Sequence, residues 1–292
     1  MVELSHHPNI ELVSYSEIER VDGYIGNFKV TVRQKPRYVD ATKCNGCGAC
    51  VDVCPIIAPN EFDEGLGARK AIYLPFPQAV PSTYTIDMDK CIKCRLCMKK
   101  CEPNAIDLNQ TPKTREIEAG VIILATGFKE LKPSNEFGYK KYENVITQLE
   151  LERIIAPNGP TAGKLVRPSD LKTPKRIAMI QCVGSRDAER PYCSRLCCGH
   201  AIRNALKLKA IRPQASVFVL YRDIRTYGFT EKQYRLAREG GVRFIRYEPE
   251  AKPTATATGH GLRVEPSDPI LGRKLAIDCD LLVLSTALVA RG

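Results

Sequence analysis

Two runs of cysteine repeat one spacing, Cys44-x2-Cys47-x2-Cys50-x3-Cys54-Pro55 and Cys91-x2-Cys94-x2-Cys97-x3-Cys101. Three thiolates on a tight loop, with a fourth at the start of the next segment, form the ligand pattern of a four-iron, four-sulfur cubane. Where two such motifs occur together, the fourth cysteine of each serves the other cluster. The pattern therefore assigns Cys44, Cys47, Cys50 and Cys101 to one cubane, and Cys91, Cys94, Cys97 and Cys54 to its neighbour. The chemistry this allows is carriage of single electrons. Structural zinc also uses Cys-x2-Cys pairs, but seldom in a repeated three-plus-one arrangement followed by proline. Cys101 is followed by Glu102-Pro103 and not directly by proline, a small departure.

Gly46 and Gly48 allow the first loop to fold tightly, so that main-chain N–H groups can point at sulfur. The second loop carries Lys93 and Arg95 where the first has Asn45 and Gly48 nearby. Added positive charge there raises the reduction potential of that cluster.

A third group is less familiar. Cys182-Val183-Gly184-Ser185-Arg186 ends a strand, and Cys193-Ser194-Arg195-Leu196-Cys197-Cys198 opens the next helix. Four thiols thus gather at one strand-to-helix turn, where a dinucleotide-binding domain would place Gly-x-Gly-x-x-Gly. No such fingerprint with strand before and helix after occurs in the chain, which speaks against nicotinamide binding in this half. On residue chemistry alone, Cys182, Cys193, Cys197 and Cys198 are buried small hydrophobes, a redox-active dithiol or a third cluster site.

These groups need elements to position them. Ile10 to Tyr15 and Asn27 to Arg33 look extended, the second alternating Phe28, Val30 and Val32 against Lys29, Thr31 and Arg33, and together they predict a β-hairpin at a domain edge. Residues 38–110 form a Gly- and Pro-rich module around the repeated motif. Val121 to Gly127 reads as a buried strand stopped by glycine. From about Lys175 the pattern is strand Arg176 to Cys182, helix Ser194 to Lys209, strand Ser216 to Tyr221, helix Glu231 to Glu239 and strand Val242 to Tyr247. This alternation predicts a parallel sheet flanked by helices. A last apolar strand, Leu281 to Ser285, stands close to residue 292 and suggests a fragment.

The composition is that of a soluble globular protein, with 43% hydrophobic and 26% charged residues. No apolar run is long enough to span a bilayer and no leader opens the sequence, so a cytoplasmic location without membrane insertion is expected. Clustered cysteines point to a reducing compartment and to few or no disulfides. The net charge of +11 is spread along the chain without interleaved aromatic residues, so nucleic acid is not an expected partner. Bound cubanes would offset part of that charge, and any remaining positive patch suits an acidic redox protein.

Several segments together resemble the family formed by the A subunits of heterodisulfide reductase, which are iron–sulfur flavoproteins. They are Tyr24-Ile25-Gly26-Asn27-Phe28, both cysteine motifs, Pro59-Asn60-Glu61-Phe62-Asp63-Glu64-Gly65-Leu66-Gly67, Pro75-Phe76-Pro77-Gln78-Ala79-Val80-Pro81 and Tyr221-Arg222-Asp223-Ile224-Arg225-Thr226-Tyr227-Gly228. The resemblance implies α/β plus α+β architecture: a ferredoxin-like module with two 4Fe-4S clusters inserted in an incomplete, thioredoxin-reductase-like FAD/NAD(P)-binding (Rossmann-like) core. It implies residues 1–37 as a remnant of FAD-domain strands, 38–110 as the inserted module, 111–135 as the return to the FAD domain, and 136–292 as a Rossmann-like domain. It also implies that Cys182, Cys193, Cys197 and Cys198 hold an additional 4Fe-4S cluster. Thr126 and Gly127 resemble a turn that closes on FAD, and Arg203 stands where relatives place a lysine near the flavin. By residue chemistry alone, a plain strand end and an exposed helix arginine remain the alternatives. The implied function is electron relay between flavin and partner subunits of a heterodisulfide-reductase-like complex, together with a redox protein that donates or accepts electrons. The rivals are a ferredoxin-fused NAD(P)H oxidoreductase and a non-catalytic iron–sulfur binding module.

Overall fold

A computed structural model describes residues 2–5 and 7–291. The chain divides into two compact units, Met1–Ala125 and Thr126–Gly292.

In the first unit, Ser16–Tyr24 pairs antiparallel with Asn27–Gln34, and that strand pairs with Lys113–Ala119. Val30 and Val32 are buried while Lys29 and Arg33 face outward, as their alternation requires. The hairpin's first strand lies later than expected: Ile10 to Tyr15 forms no strand, and Ser16–Tyr24 takes the place. The turn explains the shift. Ile25-Gly26 is a two-residue connection with Gly26 at φ +90, which sets Tyr24 opposite Asn27 and fixes the partner as the residues just before the turn.

The cysteine-rich segment runs between the Asn27–Gln34 and Lys113–Ala119 strands. It consists of one-turn helices Ala49–Asp52 and Leu96–Lys100 and short hairpins, Ile57–Asn60 with Gly67–Lys70 and Ile72–Tyr73 with Thr85–Ile86. Val39, Ile72, Ile86, Ala105 and Ile106 form its core, and the motif cysteines pack against them.

Val121 to Gly127 overturns an expectation. It forms no strand, and Val121, Ile123 and Leu124 are 72%, 87% and 80% exposed. An apolar run acquires strand geometry only by pairing, and no strand among the described residues takes it as a neighbour.

The second unit is built on a five-stranded parallel sheet in the order Arg243–Arg246, Ser216–Tyr221, Arg176–Val183, Leu281–Thr286, Val145–Thr147. Its central strands are buried on both faces, hence their continuous apolar sequences. Helix Cys197–Ile211 covers one face through Cys198, Ala201, Ile202, Ala205 and Leu208, a stripe with helical spacing. The opposite face packs against an antiparallel layer, Thr254–Thr258, Gly261–Glu265 and Ile277–Cys279, through Leu262, Val264 and Ile277. Helix Gln148–Ile154 starts on a capping box: the Glu150 N–H donates to the Thr147 hydroxyl at 3.2 Å, and the Thr147 N–H donates to the Glu150 carboxylate at 2.6 Å. The helix expected from Ser194 begins at Cys197, because Arg195 adopts left-handed backbone at φ +63 and breaks the helical run.

Candidate metal centres

The two motif loops have related geometry built from different residues. Each wraps into a one-turn helix, and the x3 spacing carries the fourth cysteine past that turn, away from its own loop. One cavity is lined by Cys44, Cys47, Cys50 and Cys101, together with Val39, Tyr84 and Ile106. A second is lined by Cys54, Cys91, Cys94 and Cys97, together with Ile72, Ile86 and Leu108. Each therefore takes three cysteines from one motif and one from the other. A tetrahedral zinc ion would need its four sulfurs within about 3.8 Å of one another. A cubane gives each thiolate its own iron and accommodates wider spacing. Among the described residues, no three Cys, His, Asp or Glu donors converge on a point suited to a single ion.

Gly46 and Gly48 have φ of +73 and +83. A Cβ on Gly46 would stand 3.1 Å from the Ser82 carbonyl oxygen, and one on Gly48 would stand 3.1 Å from the Tyr84 hydroxyl. Neither contact was visible in the motif itself. The corresponding positions of the second loop, Lys93 and Arg95, adopt the same left-handed backbone at φ +54 and +62. Lys93 is thus the counterpart of Gly46 and Arg95 that of Gly48. Main-chain N–H groups do reach sulfur: Lys93 donates to Cys91 Sγ and Ala105 to Cys101 Sγ, both at 3.4 Å. Burial pushes the Cys50 thiol up to about 12 and raises Cys97 as well. Ligation at these buried positions therefore has to release protons.

The third group comes together in the second unit. Cys182 lies at the end of the Arg176–Val183 strand, where the pairing with Leu281–Thr286 slips between Ile180 and Val183, and its φ is +61. A bulge of this kind re-aims side chains at a strand end. Cys197 and Cys198 occupy the first turn of the following helix, and Cys193 lies in the loop between. Burial pushes the Cys197 thiol up to about 12, and the nearby thiols of Cys198, Cys182 and Cys193 add to the rise. Cys197 donates to the Thr286 carbonyl at 3.4 Å, and the Arg195 N–H donates to Cys193 Sγ at 3.3 Å.

The surroundings of these thiols hold polar atoms without protein partners. Both amide atoms of Gln181, Nε of Arg222 and Oγ1 of Thr286 are buried with no hydrogen bond. Buried polar groups are normally paired, and Gln181 and Arg222 line a cavity together with Cys182. Two cations stand close by. Arg186 Nη1 is 4.0 Å from Cys182 Sγ and is ion-paired with Asp223, while Arg222 donates to the Arg186 carbonyl at 2.8 Å. Arg222 has no carboxylate partner among the described residues. Burial raises the Cys182 thiol, and these two guanidinium groups act against that rise. Gln181, Arg186, Arg222 and Thr286 carry no spacing that singles them out in the sequence, although Arg222 falls within one of the segments of resemblance.

Cys279 lies outside all three groups. It is fully buried in the hydrophobic core, where burial pushes its thiol up to about 12. Thr126 and Gly127 are exposed, Gly127 at φ +71, and Arg203 is exposed on the Cys197–Ile211 helix. No contact among the described residues joins Arg203 to that turn.

A family model described as a 4Fe-4S binding domain matches residues 37–56 and 84–107. The chain is 52% identical to the iron–sulfur A subunit of the CoB–CoM heterodisulfide reductase from Methanocaldococcus jannaschii, covering 100% of this chain and 45% of that protein. The A subunit of the Methanothermobacter thermautotrophicus H(2):CoB-CoM heterodisulfide,ferredoxin reductase is 49% identical, over 99% of this chain and 44% of its own length. The chain thus spans less than half the length of the curated relatives it matches. Among solved structures, a T. acidophilum thioredoxin reductase gives a TM-score of 0.36 at 12% identity, over 62% of this chain and 49% of that one, a likeness too slight to carry an argument.

Proposed function

The chain belongs to the heterodisulfide reductase A-subunit family, to which all of this chain but less than half of each relative aligns, and on that premise we propose that it is the electron-relay portion of such a protein. The observation that carries this reading is the pair of cavities, each lined by a crossed quartet of cysteines. In this reading Cys44, Cys47, Cys50 and Cys101 hold one cubane, Cys91, Cys94, Cys97 and Cys54 hold a second, and Cys182, Cys193, Cys197 and Cys198 hold a third. The clusters supply one-electron carriage. The chain's residues set the conditions for it: Ile72, Ile86, Val39 and Ile106 form an apolar wall behind the inner cysteines, and main-chain N–H groups donate to Cys91 and Cys101.

Residues 1–37 and 111–135 then belong to an FAD-binding domain into which the 38–110 module is inserted, and residues 136–292 form a Rossmann-like domain. Thr126, Gly127 and Arg203 would then help to hold a flavin, whose electrons the clusters would carry to or from other subunits of the complex.

The test is anaerobic purification followed by iron and sulfide analysis and EPR of the reduced protein. Three cubanes give about twelve irons per chain and two give about eight. Changing Cys197 and Cys198 to serine removes one EPR signal and leaves the other pair. Stoichiometric zinc without iron would end the proposal, and an unchanged spectrum in the serine variant would end the third site.

A further inference from the structure

We propose that the Cys91–Cys97 loop is the face on which an acidic redox protein docks to exchange electrons with this chain, an inference that rests on a cubane being held there. The two motifs differ most in charge. Between Cys91 and Cys101 the sequence has four cations, Lys93, Arg95, Lys99 and Lys100, and no carboxylate, whereas between Cys44 and Cys54 it has Asp52 and no cation. All four cations are exposed, and none has an ion-pair partner among the described residues. Cys94 is itself exposed, between Ile92 at 62% and Leu96 at 43%. The face thus has a small apolar centre over a cluster ligand and a rim of unpaired positive charge. That combination steers an acidic partner and seats it close to the cluster. Cys47 is exposed as well, so exposure does not choose between the two loops. Charge does.

The backbone allows the charge to be tested by itself. Lys93 and Arg95 hold φ of +54 and +62, where their first-loop counterparts are glycines. Left-handed backbone disfavours any residue with a Cβ, and glycine would fold the second loop with less strain, as it does the first. Both charges can therefore be replaced by glycine without straining the loop. In the docked pair one electron leaves the reduced cluster of one protein and enters the oxidised cluster of the other, with no bond made or broken.

The test uses the cluster-loaded chain and a small acidic two-cluster ferredoxin as probe, with Kd measured across a salt series. The variant is Lys93→Gly/Arg95→Gly, which removes charge while relaxing the loop backbone, so loss of folding does not confuse the result. The expected outcome is a Kd raised about three- to tenfold and a flatter salt dependence, with iron content and EPR signals unchanged. A Lys99→Ser/Lys100→Ser variant is expected to behave alike. Unchanged Kd and salt slope in both variants, with clusters intact, would overturn the docking face alone. Parent protein that holds no iron at this loop would overturn both the docking face and the reading beneath it.

Discussion

Arg186 offers the most direct electrostatic test of the third thiol group. Its Nη1 lies 4.0 Å from Cys182 Sγ. At an effective dielectric constant near 20, a unit charge at that distance interacts by about 4 kcal/mol. An electron added to a cubane is shared among its corners, so about a quarter of its charge resides near Cys182. The interaction is then about 1 kcal/mol, or about 45 mV for one electron. The Asp223 carboxylate paired with Arg186 opposes part of it. Arg186→Gln is therefore expected to lower the midpoint potential of the third centre by about 20–45 mV, while Arg186→Lys retains most of the parent value. The assay is an EPR-monitored redox titration of the full chain, with iron content and circular dichroism checked on the same samples. The ferredoxin-type pair provides the internal control, since its potentials should stay fixed. An Arg186→Gln variant that keeps all its iron and shows no shift, or shifts all signals together, would refute the placement of a cluster beside Cys182.

Gly46→Ala should destabilise the first unit by about 1–2 kcal/mol, because it adds left-handed strain and a 3.1 Å contact with the Ser82 carbonyl. Lys93→Ala, at the equivalent position, should be near neutral, and denaturant titration at equal cluster occupancy compares the two. Cys279→Ser should lower stability by about 1–3 kcal/mol by burying a hydroxyl in an apolar core, yet leave iron content and every EPR signal unchanged; loss of a signal would make Cys279 a ligand. Asp280 accepts backbone N–H groups from Lys175 at 2.7 Å and Arg176 at 2.9 Å. Burial pushes its carboxyl up, but those N–H groups and the Arg176 guanidinium at 3.4 Å together outweigh it and hold the group below the usual carboxylate value. A depressed folded-state value makes its contribution full at neutral pH and lost as pH falls through that value. Asp280→Asn should therefore cost about 1–2 kcal/mol at pH 7, and thermal unfolding should show the difference from the parent vanishing below about pH 4.

The candidate ligands were legible because ligation needs particular residue types at particular spacings, and both the eight motif cysteines and the Cys182–Cys198 group are written locally. The parallel sheet was legible for a similar reason: the Arg176–Val183 and Leu281–Thr286 strands are apolar on both faces. Features that depend on distant partners were not. The run from Val121 to Gly127 has a strand's composition and lacks a partner among the described residues. Gln181 and Thr286 become conspicuous only when folding buries their polar atoms without partners. The hairpin shows the intermediate case, where alternation identified the Asn27–Gln34 strand but turn geometry decided which residues pair with it.

The crossing of the fourth cysteines has a physical consequence that two separate loops would lack. Cys101 lines the cavity of the first motif and Cys54 that of the second, so neither quartet exists until both motifs have folded against the Val39, Ile72, Ile86 and Ile106 core. With cubanes in both cavities, as proposed, metal binding free energy is folding free energy for the whole module, and the two sites form together or not at all. The same crossing couples them in function. Each cavity is bounded by the other motif's cysteine, so cubanes held in both would lie close and give the module a two-step path for one electron. Charge then gives that path a direction. With Lys93 and Arg95 beside one cluster and neutral glycines beside the other, the second site is expected to have the higher potential of the pair, and an electron entering at the first loop then runs downhill to the second.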